Sequence, residues 1–277
     1  LVALGGGSAM DCAKAMAYFG GRDIPLAAIP TTSGSGSETT DFAVLTHGKT
    51  KYPLVDPRLR PKLAILDSDL LRELPPALIA DTGFDVLTHA VESATAPGAG
   101  TIPGLLAAEA FRTAYACLPA SYAGDTSVRL RLHMASTLAG IAFSHTGLGL
   151  CHAMSHALGA RFHVPHGRLN AILLPAVIAS NAQGAGSGYA RLARAAGLGG
   201  SADVVALRNL KNGLIRLRRD LGLPQTLAQA GVSPGQVWGD SKAIVEAVLS
   251  DPCCKTNPVP VEDFQVRRIL EEVTGNL

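Results

Sequence analysis

The chain has 277 residues, 47% of them hydrophobic and 17% charged, enough apolar side chain to bury a substantial core in one large domain or two smaller ones. A formal net charge of +2 leaves no basic stripe of the kind that neutralises a phosphate backbone, which argues against nucleic acid as a partner. The five cysteines, Cys12, Cys117, Cys151, Cys253 and Cys254, form no CxxC pair and no regular disulfide framework, and this pattern points to a reducing cytoplasm.

Leu1 to Leu4 is a short apolar run without an initiator Met, a charged leader or a long apolar span. It reads as an interior strand rather than a signal peptide or a membrane anchor, and an upstream segment is expected to be missing. Gly5-Gly6-Gly7-Ser8 follows, then Met10 to Phe19, whose small and apolar residues suit a helix packed on a sheet. A second buried strand over Pro25 to Ile29 runs into Pro30 to Glu38, too rich in Gly and Ser for regular structure. Phe42 to Thr46 and Leu63 to Leu66 are further strands, with His47-Gly48-Lys49 as a hairpin turn between Leu45 and Tyr52.

After Pro75-Pro76 the strands stop and apolar residues recur at helical spacing. Helices are expected over Ile79–Ala94, Ile102–Cys117, Val128–Phe143, Leu150–Ala160, Leu169–Asn181, Tyr189–Ala196, Val204–Leu221 and Lys242–Leu249. The change of period divides the chain into an α/β part, residues 1–75, and an all-helical part, residues 76–277. Asp251 to Pro260, punctuated by prolines, reads as a structural tie-down before a final helix over Val261–Val273.

Asp85 and His89 are four apart, so a helix projects both from one face, good spacing for two ligands to one ion. Alone, such a pair is more often a surface ion pair. Five of the eight histidines lie between His145 and His166, however, in an otherwise small and apolar stretch where uncompensated imidazoles need partners. His152 and His156 share a helix face, and His166 precedes the next helix and can fold back. Spacing leaves His152, His156, His163 and His166 all eligible as ligands. An oxygen-plus-imidazole set without thiolate suits Fe(II), Zn(II) or Ni(II). The glycine turn offers backbone N–H groups at a helix start to a pyrophosphate, although a plain tight turn explains it equally well. Thr31, Thr32 and Ser35 add hydroxyl donors on a loop that can face the same ligand.

Four strings, GGGSAMDCAKAMA, IPTTSGSGSETT, LPPALIADTGFDVLTHAVES and GLGLCHAMSHALGARFHVPHG, resemble in order the iron-containing alcohol dehydrogenase family, and the tail DPCCKTNPVPVEDFQVRRILEEVTG resembles its branch acting on short primary alcohols and aldehydes. The resemblance implies a dehydroquinate-synthase-like architecture: part of a Rossmann-like α/β domain followed by a helical metal-binding domain. It implies Asp85, His89, His152 and His166 as metal ligands, with His156 the non-ligand histidine that relays a proton near the nicotinamide, and it leaves His163 at a helix end on the surface. Gly6, Gly7 and Ser8 then hold the pyrophosphate, Thr31, Thr32 and Ser35 line the cleft, and Lys51 reaches the cofactor, with Lys49 its nearest rival.

The resemblance implies ferrous iron (Fe2+), with zinc as the alternative, and NAD or NADP, whose determinant lies on a strand upstream of the glycine turn. It further implies a small-molecule alcohol or aldehyde substrate, no membrane or nucleic-acid partner, and a homo-oligomer, specifically a dimer. Cys151, where the family usually has an aliphatic residue, is expected to be a buried apolar thiol. Phe162 and residues near Cys254 are candidates for lining the substrate cleft. Rival readings are a maleylacetate-reductase-like or glycerol-dehydrogenase-like enzyme on the same architecture, or a non-catalytic remnant serving as an interaction module. The complete Asp/His set argues against the first of these.

Overall fold

The computed structural model describes residues 1–21, 24–47 and 50–275, with the backbone alone for 46, 47 and 50–53. Three short strands, β1 (Val2–Gly5), β2 (Ala27–Pro30) and β5 (Leu63–Ala64), form a parallel sheet in the order β1-β2-β5. β1 and β2 are joined by α1 (Gly7–Phe19), the crossover that a parallel pair requires. The helix starts at Gly7 rather than Met10, because the Gly6 carbonyl already accepts from the N–H groups of Ala9 and Met10. Gly5 turns the chain at φ +149°, a conformation open to glycine and strained for other residues. β3 (Phe42–His47) and β4 (Thr50–Val55) form an antiparallel hairpin with Leu45 opposite Tyr52, and His47, expected in the turn, instead ends β3 opposite Thr50. Gly48 and Lys49 of its turn lie outside the described residues. β5 is shorter than Leu63 to Leu66, covering two residues only.

No regular element occupies 31–41, yet the stretch is tightly held. From α1, the buried Lys14 donates its Nζ to Thr40 O (2.9 Å), Thr40 Oγ1 (2.8 Å) and Phe42 O (2.8 Å). Asp11, one turn earlier, accepts from Ser37 Oγ at 2.8 Å and from Val44 N at 3.0 Å. On the other side, Glu38 accepts from Thr137 Oγ1 at 2.6 Å and Ser33 Oγ pairs with His133 Nδ1 at 3.0 Å. Burial pushes the Lys14 ammonium down to about 8, against the pull of Asp11 and Glu38.

Helices fill the rest: α2 (Pro76–Thr95), α3 (Thr101–Tyr122), α4 (Arg129–Thr146), α5 (Leu150–Phe162), α6 (His166–Ser180), α7 (Ala182–Ala195), α8 (Asp203–Asp220), α9 (Pro234–Gly239), α10 (Ser241–Ser250) and α11 (Asp263–Thr274). α2 has Pro76 at its first position and packs against α3, α4, α6 and α7, so it is buried nearly all round. Phe84, Leu87, Phe111, Leu118, Leu158 and Leu173 belong to one continuous core. A separate small cluster, Ala3, Met10, Ala13, Leu26 and Ala28, lies between α1 and the sheet.

Two helices depart from the periodicity. α7 starts at Ala182 rather than Tyr189, running through Gly184, Gly186 and Gly188 despite their poor helix propensity. A side chain at Gly184 would strike Val259, and one at Gly188 would strike Thr95. Close packing therefore sets these residues. α9 is absent from the expected elements, although its capping box, Ser233 with Gln236, is a sequence-level start signal.

Pro175 interrupts α6 and leaves the Ala171 carbonyl without its helical donor. Arg218 from α8 compensates, donating Nη1 to Ala171 O and Ile172 O at 3.0 Å each. The 251–260 segment contains a short 3-10 turn, Pro252–Thr256, and does act as a tie-down. Asn257 Oδ1 accepts from Leu150 N at 3.1 Å and exchanges amide bonds with Asn181, while Thr256 Oγ1 donates to Leu148 O at 2.6 Å. No helix among the described residues is long and apolar enough to cross a membrane.

Replacing Lys14 with Met strands three oxygen acceptors beneath the 31–41 segment. Stability in urea unfolding is expected to fall by about 3 kcal/mol, with the helical signal of the folded protein intact.

Candidate metal and cofactor site

α2 presents Asp81, Asp85, His89 and Glu92 in successive turns, and all four are buried. α5 adds His152 and His156 one turn apart, and α6 opens with His166 and carries Asn170 on its second turn. The Nε2 atoms of His89, His152 and His166 lie 3.7, 3.7 and 3.5 Å from Asp85 Oδ1. Donor atoms of Asp85, His152 and His166 all fall within 4.8 Å of one another. His89 reaches Asp85 but stacks nearly parallel on His152, at 16° and 4.6 Å between centroids, with Phe143 against its other face at 4.5 Å.

The orientation of His152 is set by Glu92, whose Oε2 takes its Nδ1 at 2.6 Å. The same carboxylate accepts from Gly149 N at 2.9 Å and Cys151 N at 2.7 Å. It thus satisfies the open N–H groups at the start of α5, where the helix dipole also favours a negative charge. Asn170 donates Nδ2 to Asp85 Oδ1 at 2.8 Å and lies 3.5 and 3.3 Å from the Nε2 atoms of His152 and His166. Its Oδ1 accepts from Ser155 Oγ and Cys151 Sγ, so the amide is held with its N–H side toward the imidazoles. Cys151 is fully buried, with its Sγ against the backbone and side-chain oxygens of Asn170.

Burial pushes His89 down to about 4, with the Asp85 charge opposing. It acts likewise on His166, which keeps about a third of its side chain exposed, so that its buried Nε2 end is disfavoured as a cation. Burial works on His152 too, but Glu92 and Asp85 outweigh it and hold this ring up to about 9. Asp85, whose burial alone would raise it, is held well below the usual carboxylate range by the surrounding imidazoles. His89 and His166, both disfavoured as cations, present lone pairs to a carboxylate that offers only lone pairs in return. Acceptors facing each other at 3.7 and 3.5 Å are close to the separation of about 3.4 Å across a tetrahedral ion with bonds of 2.0–2.1 Å. The donor set fits a divalent metal.

The cluster opens into a cleft of about 480 Å³ lined by Gly6, Gly7, Ser8, Thr32 and Ser35 on one side and by Asp81, Asp85 and His166 on the other. That is the size of a small-molecule site. At Gly7 a side chain would press on Ser35, so glycine lets the two loops meet. Thr31 is off the lining, and its N–H continues the sheet by donating to Gly5 O at 2.9 Å. Lys51 stands opposite Thr46 in β4, and its side chain lies outside the described residues. Phe162 and Cys254 pack against the helical core rather than along this cleft. His163 caps α5 in the left-handed region at φ 55° and is exposed.

His156 is a third exposed, donates Nδ1 to Asp251 Oδ2 at 2.9 Å, and stacks on His166 with centroids 5.3 Å apart. Glu92, Asn170 and Asp251 are the site residues that spacing alone does not reveal. Glu92 had a signal, falling three residues after His89 on the face that carries Asp85.

A model for the Fe-containing alcohol dehydrogenase family, C-terminal, matches residues 79–274, and one for iron-containing alcohol dehydrogenase matches residues 1–68. The chain is 41% identical to the 1-propanol dehydrogenase PduQ of Salmonella typhimurium over 99% of its own length and 77% of that protein. It is 36% identical to the NADPH-dependent butanol dehydrogenase of Clostridium saccharobutylicum over 98% of its length and 75% of that protein. An iron-containing alcohol dehydrogenase from Thermococcus thioreducens superposes with a TM-score of 0.91 at 34% identity, covering 99% of this chain and 76% of the other. The chain belongs to the iron-containing alcohol dehydrogenase family. It is accordingly an oxidoreductase that uses a metal and a nicotinamide cofactor to interconvert alcohols and aldehydes.

Glu92→Gln replaces an acceptor-only group by one carrying its own N–H2, which cannot receive all three donors. Metal affinity is expected to drop about 10- to 100-fold while circular dichroism stays that of the folded protein; equilibrium dialysis gives the number.

Proposed function

We propose that Asp85, His89, His152 and His166 together hold one divalent ion, with ferrous iron the metal and zinc the alternative, and that a nicotinamide dinucleotide lies in the adjoining cleft against Gly6, Gly7, Ser8, Thr32 and Ser35. Thr31 and Lys51 complete the proposed cofactor contacts from sequence resemblance alone. The observation that carries the reading is the convergence of three imidazole nitrogens on one buried carboxylate oxygen at 3.5 to 3.7 Å. Two members of that cluster, Asp85 and His166, also line the cleft of the glycine turn. The chain divides functionally near residue 75, with residues 1–75 serving the cofactor and 76–277 the metal. The two cores described above support that division.

Bound there, the ion supplies Lewis acidity toward an alcohol oxygen and the nicotinamide supplies the hydride acceptor. The protein's own part is positional. Glu92 keeps His152 Nε2 toward the site, Asn170 holds Asp85, and the Gly167 backbone lies so close to the Asp81 carbonyl that any side chain would collide. His156 carries the departing proton, since it stands beside His166, is partly exposed, and is oriented by Asp251. The substrate class is a short primary alcohol or its aldehyde, the substrate type printed in the names of the two relatives above. The five free thiols support a cytoplasmic location, and a homodimer is proposed on family resemblance. A maleylacetate-reductase-like reaction is disfavoured by the complete Asp/His set.

Purified without oxygen and loaded with ferrous iron or zinc, the protein is expected to bind one ion at this cluster and to turn over propanol and propanal with NAD(H) or NADP(H). His152→Ala is expected to lose that ion together with turnover, and metal retention in this variant would overturn the ligand assignment. His156→Ala is expected to keep the ion and lower turnover about 100-fold; loss of metal there would make it a ligand instead.

A further inference from the structure

We propose that His156, Asp251 and Cys253 form a second divalent-ion site, thiolate-containing and selective for zinc-class ions, next to the Asp85 cluster. Its inhibitory consequence rests on the reading of His156 as proton carrier; the site itself does not.

The three side chains come from two elements: His156 from α5, and Asp251 and Cys253 from the start of the Pro252–Thr256 turn. Each offers one donor atom, and the three atoms lie within 4.8 Å of one another. Asp251 is the hub. Its Oδ2 accepts from His156 Nδ1 at 2.9 Å and its Oδ1 from Cys253 N at 2.8 Å. Cys253 is free and half-buried, and His156 leaves about a third of its side chain open to solvent. That openness gives an entry route and room for a water as fourth ligand.

The chemistry of the donors separates this cluster from its neighbour. The Asp85 set has oxygen and imidazole donors only, whereas this one adds sulfur, and a soft thiolate beside an imidazole favours zinc or cobalt over magnesium or ferrous iron. Binding balances simply. The ion takes the lone pair of one imidazole nitrogen, with the ring proton left on the other. Asp251 is already ionised, its burial outweighed by the bonds from His156 and Cys253. The Cys253 thiol gives up its proton to solvent. One proton is released, and a 2+ ion with two anionic ligands is neutral, which suits a half-buried position. Burial and the Asp251 charge keep the thiol protonated without an ion, so a coordinating metal is what turns it into thiolate.

Occupancy removes from His156 the nitrogen that would carry a proton. Zinc beyond the first equivalent therefore inhibits without displacing the catalytic metal.

The test is to titrate the full-length protein with zinc by equilibrium dialysis, and with Co(II) while following near-ultraviolet thiolate-to-cobalt charge transfer, alongside turnover. The wild type is expected to bind two equivalents, with the charge-transfer band growing in during one of them. Cys253→Ser should keep one equivalent and its basal turnover, lose the band, and need on the order of tenfold more zinc for half-inhibition. Cys254→Ser should behave as the wild type. A single equivalent in the wild type, or a second equivalent and band that persist in Cys253→Ser, overturns the proposal. His152→Ala separates the two readings: it should lose the equivalent without the band and keep the one with it.

Discussion

A carboxylate buried in a helical core must be met by donors, and Glu92 is met by three: the N–H groups of Gly149 and Cys151 and the ring of His152. The first two belong to the unsatisfied opening of α5, so one side chain closes a helix end and fixes the His152 ring in the same act. Because Nδ1 of His152 is committed to Glu92, Nε2 is left to face Asp85. Asn257 adds a bond to Leu150 N from the far end of the chain, locking the same turn from the other side. Geometry at the Asp85 cluster and the register of α5 against α2 are therefore one constraint.

The same economy governs the route from the cluster to the glycine-turn cleft. Gly167 allows the start of α6 to press against the Asp81 carbonyl, and Arg168 grips both Asp81 oxygens at 3.1 and 2.9 Å. These contacts put His166 at the edge of the cleft. On the opposite wall, Lys14 and Asp11 from α1, with Thr137 and His133 from α4, hold the 31–41 segment irregular but anchored. A segment rich in Gly and Ser loses much conformational freedom on ordering, which explains why buried charged groups are spent on it.

Much of this was legible beforehand. The Asp85 and His89 spacing follows from the 3.6-residue period, the glycine turn from the strand before it and the helix after it, and the existence of the hairpin, though not its register, from its turn residues. Resemblance chose among His152, His156, His163 and His166 where spacing could not, and the structure leaves His163 exposed at a left-handed helix end. The early start of α7 was hidden because packing against Thr95 and Val259, not propensity, sets its glycines.

What the sequence by itself determined is local: which residues share a helix face, where glycine must turn the chain, and that a carboxylate and several imidazoles stand on small, apolar helices. The partners were decided by tertiary structure alone. Glu92 meets His152 across 60 residues, Asn170 meets Asp85 across 85, and Asp251 meets His156 across 95. Helical periodicity orients a side chain about its own axis but says nothing of which second helix faces it. That choice belongs to the packing of α2, α5 and α6 around a common core, where every buried charge had to find its complement.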